Sequence, residues 1–237
     1  MDGAGLLQLI DATWPAARFE QRGPLLLRHG QGGGNRVSAA TLSDGWSEAD
    51  IDLAEGAQAK IGQPALFMVL PGQEDLDAAL VSRGYALHEP VALWTCPVEL
   101  LTDLAIPRVT IFAHWEPLAI TCEIWAIGGI GPERVAIMGR VPGPKAALLA
   151  RRNDQPAGAG FVACHGNSAM VHAVEICLAH RRHGMGAWLM RGAAHWAAAQ
   201  GAQRLTVLCT RANTAANALY ASLGMASAGG YHYRIRR

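Results

Sequence analysis

In residues 175–199, the residue types and their spacing along the chain best fit a binding site. A short β-favouring run leads through a polar turn into Arg181-x-x-Gly184-x-Gly186 and then into an amphipathic helix. Two glycines at a helix start let a ligand approach the backbone closely. The first N–H groups of the helix have no partner inside it and lie at the positive end of its dipole, which suits a phosphate or diphosphate. A tight turn that binds nothing fits these residues equally well.

The composition limits the class of protein. A length of 237 residues fits one large domain or two small ones. Because 51% of the residues are hydrophobic and 16% are charged, we expect buried cores rather than disorder. The formal net charge of +1 gives no long-range field toward a polyanion, so neither nucleic acid nor a membrane is an expected partner.

The cysteines, histidines and N-terminus predict an intracellular protein without a metal. Five cysteines lie far apart with no C-x-x-C spacing, so we expect reduced thiols. The histidines lack H-x-x-x-H or H-E-x-x-H spacing, which makes a metal site unexpected. No basic region precedes the apolar residues Leu6 to Ile10, and Asp11 follows them. We therefore predict neither a signal peptide nor a membrane span, and a cytoplasmic location.

Apolar periodicity and turn residues predict a chain in which strands and helices alternate. The expected strands are 25–28, 36–42, 65–70, 86–95, 145–152, 159–164, 169–178, 204–209 and 231–235. The expected helices are 47–61, 74–83, 117–127, 131–139, the one that follows Arg181 and ends at Gly201, and a last one capped by Asn213 or Thr214. The glycine run 32–34 is interpreted as a hairpin turn, with a nucleotide site as the weakest alternative, because no Gly-Lys-Ser/Thr ends it.

The chain divides into two halves with a similar order of predicted elements. Boundary signals at Cys96-Pro97 and Ile106-Pro107 place the division near residue 105, giving segments 1–105 and 106–237. Residues 77–85 can be laid on residues 217–225, and in both halves this segment follows a helix, a strand and a helix. A duplication and a chance likeness between two amphipathic helices that end in glycine are both consistent with this pattern.

Two motifs resemble the GNAT superfamily of acyl-CoA-dependent N-acyltransferases. Arg181-x-x-Gly184-x-Gly186 is similar to the family's Q/R-x-x-G-x-G/A motif, and N-x-x-A-N-x-L-Y-x-x-L-G-M at 213–225 is similar to its N-x-x-A-x-x-L-Y-x-x-L-G-F segment. The resemblance covers residues 145–237, and the N-terminal half weakly resembles a degenerate second copy. It implies an α/β (α+β) fold with a mixed, mainly antiparallel twisted sheet flanked by helices, and a smaller N-terminal half of similar order. The proline common before the Arg is missing, and Met225 replaces the Phe.

The resemblance implies transfer of an acetyl or other acyl group from acetyl-CoA to a primary amine, by direct attack in a ternary complex. The acceptor would be a small molecule or a peptide, and no metal is needed. A non-catalytic acyl-CoA-binding or interaction module is the alternative. Carried over from the family, the coenzyme A site comprises Ile176, Cys177, Leu178, Arg181, Arg182, His183, Gly184, Met185, Gly186, Ala187, Asn213, Asn217 and Tyr220.

The resemblance also implies catalytic roles. Tyr220 would protonate the departing thiolate, although a packing tyrosine is the alternative. A backbone N–H near Cys177 or Leu178 would meet the thioester oxygen. Glu175 is the expected base, acting through water, and His172 competes with it. Strand alternation places Ala173, Glu175 and Cys177 on one face and His172, Val174 and Ile176 on the other, so only one base can face the acceptor.

The acceptor side is expected on the first two helices of the C-terminal half. There Glu123 would hold a cationic amine and Trp125 would stack over it. The alternative is that Trp125 is core and Glu123 is solvated. Since no equivalent of the Arg181 motif precedes residue 105, we predict one active site, in the C-terminal half, with the N-terminal half structural or helping to shape the acceptor cleft.

Overall fold

The structure is a computed structural model that describes residues 2–236. Its helices are α1 (Gly3–Thr13), α2 (Glu48–Lys60), α3 (Glu74–Ser82), α4 (Ala119–Ile127), α5 (Pro132–Arg140), α6 (Met185–Ala199) and α7 (Thr214–Ser222). Its strands are β1 (Arg18–Arg22), β2 (Leu25–His29), β3 (Thr41–Leu42), β4 (Ala65–Val69), β5 (Ala86–Pro97), β6 (Ile111–His114), β7 (Lys145–Arg152), β8 (Gln155–His165), β9 (Ser168–Ile176), β10 (Arg204–Thr210) and β11 (Ala226–Arg236).

One large sheet runs through both halves of the chain, in the order β4-β11-β5-β10-β9-β8-β7-β6. Its neighbouring strands are antiparallel except for β9 and β10, which are parallel. Helix α6 packs in the apolar layer on one face, whereas α4 and α5 contribute to a layer on the other. The strands β1, β2 and β3 form a small separate sheet. The predicted fold class, a mainly antiparallel sheet flanked by helices, is confirmed.

The last strand of each half pairs with a strand of the other half. Strand β5 pairs with β10, and β11 pairs with β4. Side chains of these strands also contact a helix of the other half. Trp94 of β5 donates to Asn217 of α7 at 2.9 Å, and Arg234 of β11 binds Asp77 of α3 at 2.7 and 2.8 Å. Hydrogen bonds from Arg234 and His232 lower the pKa of Asp77 to about 2. The boundary near residue 105 therefore divides the sequence but not the sheet, and independent units 1–105 and 106–237 stay a prediction.

Small residues bring α6 close to the strands that it covers. Its buried face includes Leu189, Ala193 and Ala197. A Cβ atom added to Gly160 of β8 would meet Cδ2 of Leu189 at 2.6 Å, so only glycine fits beneath this side chain without displacing it. This close packing fixes the start of α6 relative to β9.

The first residues, for which no helix or strand was predicted, form α1. Its buried face includes Leu6, Leu9 and Ile10, and they pack in one cluster with Met170 of β9. Asp2 caps the helix by accepting a hydrogen bond from the Gly5 N–H at 2.8 Å. The five cysteines are free. Within residues 2–236, no helix combines the length and the apolar character that crossing a bilayer requires.

The glycine run connects two antiparallel strands, β2 and β3, as predicted, but the tight turn and the long second strand of the predicted hairpin are wrong. Instead of a strand over 36–42, a 3₁₀ turn spans Asn35–Val37, and only Thr41–Leu42 is extended. The physical reason is backbone conformation, because Gly32 and Gly34 adopt φ values of 79° and 94° that break a regular ladder. A Cβ atom at Gly33 would lie 2.6 Å from Cδ1 of Ile137, so the loop packs directly onto α5.

Candidate active site

A cleft opens where the two parallel strands of the sheet separate. Strands β9 and β10 are paired from Ser168 opposite Arg204 to Val171 opposite Val207, and the pairing ends there. The cleft has a volume of about 750 Å³, and it is lined by residues 171–176 of β9 on one side and 207–210 of β10 on the other. It therefore reaches both faces of the sheet.

A β-bulge in β9 decides which side chains face this cleft. Ala173 has a positive φ of 51°, and the register with β8 shifts between Phe161 opposite His172 and Ala159 opposite Glu175. Since Phe161 and Ala159 share one face of β8, the extra residue puts His172 and Glu175 on the same face. The expectation of opposite faces was wrong because simple alternation does not hold across a bulge.

The start of α6 presents a row of free donors to the cleft. Within residues 2–236, the backbone N–H groups from Arg182 to Ala187 donate to no protein group. Gly184 precedes the helix in the left-handed conformation with φ 77°, and Arg182 has φ 65°. These N–H groups and the positive end of the helix dipole are suited to a diphosphate. The residues of the motif that line the cleft are Arg181, Arg182, Gly184, Met185, Gly186 and Ala187.

Arg181 lies across the edge of β9. Its Nε donates to the carbonyl oxygen of Ile176 at 3.0 Å, and its Nη2 donates to Oε1 of Glu175 at 3.0 Å. The side chain is exposed and the pair with Glu175 lies at the surface of the cleft. This guanidinium must leave these partners before it can contact a phosphate.

The backbone donor expected at Cys177 is occupied. Its N–H donates to the carbonyl of Ala157 on β8 at 3.0 Å. Because backbone groups of successive strand residues point to opposite sides, those of Ile176 face the cleft, in agreement with the contact from Arg181. Cys177 and the exposed Leu178 are not among the lining residues, and His183 lines a smaller neighbouring depression. Ile176 is thus the better candidate for the oxyanion donor.

Tyr220 of α7 lines the cleft and is otherwise buried. Burial, with a smaller contribution from the nearby Cys209 thiol, raises the pKa of its hydroxyl above the usual 10. The phenol therefore stays protonated at neutral pH, as a proton donor must.

The two asparagines of the second motif have different roles. Asn213 lines the cleft and caps α7, since its Oδ1 accepts from the Ala216 N–H at 3.1 Å. Asn217 lies outside the cleft lining. Its Oδ1 accepts from Trp94 and Cys209, and its Nδ2 donates to the carbonyls of Thr210 at 3.1 Å and Asn213 at 2.7 Å. These contacts use the hydrogen-bonding capacity of the Asn217 amide, so it positions α7 rather than binding a ligand.

Glu175 is a partly buried carboxylate at the edge of the cleft. Its side chain rests against Gly128 at the end of α4, where an added Cβ atom would lie 2.6 Å from its carboxyl carbon. Only the missing side chain at Gly128 leaves room for Glu175 to occupy this position.

The two residues expected to line the acceptor side do not reach the cleft. Trp125 is fully buried in the layer formed by α4 and α5, and its indole N–H donates to the Ala173 carbonyl at 2.8 Å. Its ring has no free face for an amine, and it supports the bulge instead. Glu123 is exposed on α4, on the side away from the buried Trp125.

The acceptor side is formed instead mostly by residues outside the predicted site, although Arg134 lies on the second of the two helices expected there. Four of them come from the glycine loop and its turn. The others come from the residue after α1, from β5, from the loop between α4 and α5, from α5 and from β11. These lining residues are Trp14, Gly33, Gly34, Asn35, Arg36, Glu89, Ile130, Arg134, Tyr231 and Tyr233. The three consecutive glycines were the one local signal of an unusual backbone in this set.

A directional hydrogen-bond chain holds His172 in the wall of the cleft. Arg36 lies 3.1 Å from its Nδ1, and because arginine can only donate, Nδ1 accepts. Its Nε2–H then donates to Oγ1 of Thr13 at 3.0 Å, which in turn donates to the carbonyl of Leu9 at 2.7 Å. Burial, aided by the charge of Arg36, lowers the pKa of His172 well below 6.5, so it is neutral. The ring also stacks on Trp14 at 4.8 Å between centroids.

Comparisons with known proteins agree with this geometry. The family model described as Acetyltransferase (GNAT) family matches residues 123–225. YobR of Bacillus subtilis (strain 168), described as an uncharacterized N-acetyltransferase, is 26% identical, and the match covers 97% of each chain. Within residues 2–236 no cluster of three or more His, Cys, Asp or Glu side chains could hold a metal ion.

Two solved structures share the fold along nearly the whole chain. A GCN5-related N-acetyltransferase from Kribbella flavida has a TM-score of 0.72 and 21% identity, with 98% of this chain and 95% of that chain covered. A tandem GNAT protein from the clavulanic acid biosynthesis pathway has a TM-score of 0.63 and 14% identity, with 90% and 77% covered. The sheet, the cleft and the two motifs thus agree with the family match: over residues 123–225 the chain is similar to the acetyltransferase (GNAT) family.

Proposed function

We propose that this protein transfers the acetyl group of acetyl-CoA to a primary amine, by direct attack while both substrates occupy the cleft. The observation that carries the proposal is the row of unpartnered N–H groups from Arg182 to Ala187, placed where β9 and β10 separate. The thioester supplies an activated acyl group, so the protein needs no nucleophile of its own. The match to the acetyltransferase family model supports the reaction class, and a cytoplasmic location is part of the proposal.

The donor would lie on the α6 and α7 side of the sheet. The N–H row binds the diphosphate, and the edge of β9 at Ile176 offers backbone groups to the amides of the pantetheine arm. The Ile176 N–H is then positioned for the thioester oxygen as negative charge develops on it. Tyr220, buried between α7 and the sheet, faces the same part of the cleft.

The acceptor would enter from the opposite face. Its neutral amine nitrogen forms a bond to the thioester carbon, and the carbon–sulfur bond breaks. The sulfur takes the proton of the Tyr220 hydroxyl, and the amine proton passes through water to Glu175. His172 is not assigned the role of base, because its Nδ1 lone pair is used by Arg36 and its burial disfavours the charged form.

Thermal denaturation with acetyl-CoA tests donor binding. At about a hundredfold excess over Kd, binding to the folded state adds roughly 2.7 kcal/mol. For a chain of this size the melting temperature should rise by about 5–10 °C, at about 2–4 °C per kcal/mol. ATP and NAD serve as controls and should give no rise.

Two glycine variants at opposite ends of α6 form a matched pair. Gly184 and Gly201 have φ values of 77° and 84°, and a Cβ atom at either would meet nothing within 4 Å. Gly184→Glu and Gly201→Glu thus carry the same backbone strain, but only the first puts a carboxylate beside the N–H row. The response to acetyl-CoA should vanish in Gly184→Glu and persist in Gly201→Glu. Loss in both, or in neither, would contradict this assignment of the donor site.

Turnover distinguishes an enzyme from a binding module. Release of the coenzyme A thiol is followed with a panel of amines, including amino acids, polyamines and peptides. An acceptor-dependent release supports the transferase. Binding of acetyl-CoA without release for any amine would favour a non-catalytic acyl-CoA-binding module with the same fold.

A further inference from the structure

The acceptor side of the cleft contains two arginine side chains whose charge no carboxylate neutralises. Arg36 contacts the Tyr231 hydroxyl at 3.3 Å and the neutral ring of His172 at 3.1 Å, and the oxygen of Tyr233 also lies nearby. Arg134 lies over the glycine loop, with its Nη2 3.4 Å from the position of a Cβ atom at Gly34. Among residues 2–236 neither side chain has an acidic partner within 4.0 Å. Two cations in one cavity, neither paired directly with a carboxylate, indicate an anionic ligand group.

The geometry of Arg36 leaves one edge of its guanidinium for such a group. Its Nε and one Nη1 proton are used by Tyr231 and His172. Three of the five N–H groups on an arginine then remain, at the outer edge of the planar fork. Burial opposes its charge, but the oxygens of Tyr231 and Tyr233 more than offset this and raise its pKa, so Arg36 is always charged. Two parallel N–H groups on one edge match the two oxygens of a carboxylate.

Acidic groups in the same cavity define the rest of the ligand. Glu175 lies at one end of the cleft beside the proposed thioester position, and Glu89 of β5 lies near the glycine loop, where it accepts from Asn35 at 2.8 Å. A dianionic phosphate would be repelled by these two carboxylates. A molecule with one cationic and one singly anionic group complements the whole set better.

We propose that the acceptor is an amine that also carries a carboxylate, of the class of free amino acids, with its carboxylate on Arg36 and Arg134 and its amine directed to Glu175. This inference rests on the proposed acyl transfer in the same cleft. It assigns the substrate class and gives the N-terminal half a role, since Arg36 reaches the cleft from the glycine loop.

The first test compares matched acceptors. Each free amino acid is assayed beside its carboxamide and its decarboxylated amine, which keep the amine and lose the negative charge. A charged hydrogen-bonded contact is worth roughly a 10- to 100-fold change in affinity. The free acids should have a kcat/KM higher by about that factor. Equal or greater turnover of the analogues without a carboxylate would overturn the proposal. A preference for phosphoethanolamine would overturn it too.

The second test uses variants of the two arginines. Arg134→Met, at a partly exposed site without protein partners, should raise KM for the free acid roughly 10- to 100-fold and lower kcat/KM for the carboxamide much less. Arg36→Met removes a group that also holds His172, so Arg36→Lys is measured beside it. Lysine keeps the charge and loses the planar fork, and it should restore part of the selectivity. Unchanged selectivity in Arg134→Met and Arg36→Lys would contradict the assignment.

Direct binding separates this proposal from the proposed function. Stabilisation by free amino acids and by their carboxamides is measured with and without coenzyme A. If acetyl-CoA stabilises the protein but only amines without a carboxylate bind or react, the acyl transfer stands and the carboxylate site fails. If free amino acids bind in wild type and not in Arg134→Met while acetyl-CoA has no effect, the anion site stands and the acyl transfer fails. No response to any free acid in either assay overturns the proposal made here.

Discussion

The indole N–H of Trp94 donates to Oδ1 of Asn217 at 2.9 Å, so a strand from the N-terminal half holds the helix that carries Tyr220. The same Asn217 amide donates to the carbonyls of Thr210 and Asn213 and so joins α7 to the end of β10. This one side chain therefore couples the exchanged strand β5 to the wall of the cleft. In the second motif, this asparagine keeps the candidate proton donor in place.

Replacing Asn217 with Leu should lower both stability and turnover. The variant leaves the Trp94 N–H and two carbonyls without their partner, at a cost of about 1–3 kcal/mol. The melting temperature should fall by about 2–4 °C per kcal/mol. Turnover should fall further than the loss of folded protein explains, because Tyr220 shifts with α7. Asn167→Leu, in an exposed turn, is the control and should change stability by less than about 0.5 kcal/mol. Equal effects of the two variants would contradict the coupling.

Tyr220→Phe should remove turnover and keep donor binding. The variant loses only the hydroxyl, whose buried position raises its pKa and keeps it protonated. Loss of a positioned general acid should lower kcat by about 10²–10⁴. The shift in melting temperature caused by acetyl-CoA should match that of wild type. Tyr85→Phe removes another buried tyrosine hydroxyl, bonded to Glu55 and outside the cleft lining, and should leave kcat unchanged. A fully active Tyr220→Phe would show that this residue only packs.

Gly128→Ala should lower kcat by displacing Glu175. The φ of Gly128 is −80°, which alanine adopts freely, so the backbone is not strained. The new Cβ atom would lie 2.6 Å from the Glu175 carboxyl carbon, and the side chain must move. We expect kcat to fall at least about 10-fold, part of the contribution of a general base, while acetyl-CoA affinity changes little.

Gly139→Ala is the matched control, because a Cβ atom at this position in α5 meets nothing within 4 Å. It should leave kcat unchanged and stabilise the helix slightly. If Gly128→Ala behaves in the same way, Glu175 is not the base, and water or another group takes the proton.

The sequence predicted most of the fold because its signals are local. Apolar spacing and glycine stops gave helices 74–83 and 131–139 within two residues of α3 and α5. The N–H row after Arg181 was also predictable, since the two glycines and the helix start lie within a few residues. The strand exchange was not predictable, because pairing of β5 with β10 depends on which sheet edge is free after folding, and no local pattern encodes that.

The acceptor side was not predictable either, because its residues come together only in the folded chain. Arg36 and His172 lie 136 residues apart in sequence, and only the order of strands in the sheet brings them together. The bulge at Ala173 had no marker either, because alanine rarely adopts positive φ and a bulge commonly uses glycine. The prediction that Glu123 and Trp125 face the acceptor relied on the family order of helices, and burial of Trp125 against the bulge overturned it.

His172 should make the folded state sensitive to mildly acidic pH. Burial and the charge of Arg36 keep it neutral in the folded chain, whereas in the unfolded chain it takes up a proton near pH 6.5. Below that pH the unfolded state binds more protons than the folded state. Its contribution to stability is therefore complete above about pH 6.5 and is lost as the pH falls, by up to about 1.4 kcal/mol per pH unit.

Chemical denaturation from pH 7.5 to 5 would measure this dependence. His172→Gln should be less stable than wild type at pH 7.5 and should lose stability less steeply on acidification. His114, whose pKa burial also lowers, retains part of the slope in the variant. His165→Gln, at the exposed end of β8, is the control and should follow the wild-type curve. A His172→Gln curve parallel to that of wild type would mean that folding does not lower the pKa of His172, and that the hydrogen-bond chain from Arg36 to Leu9 is arranged differently.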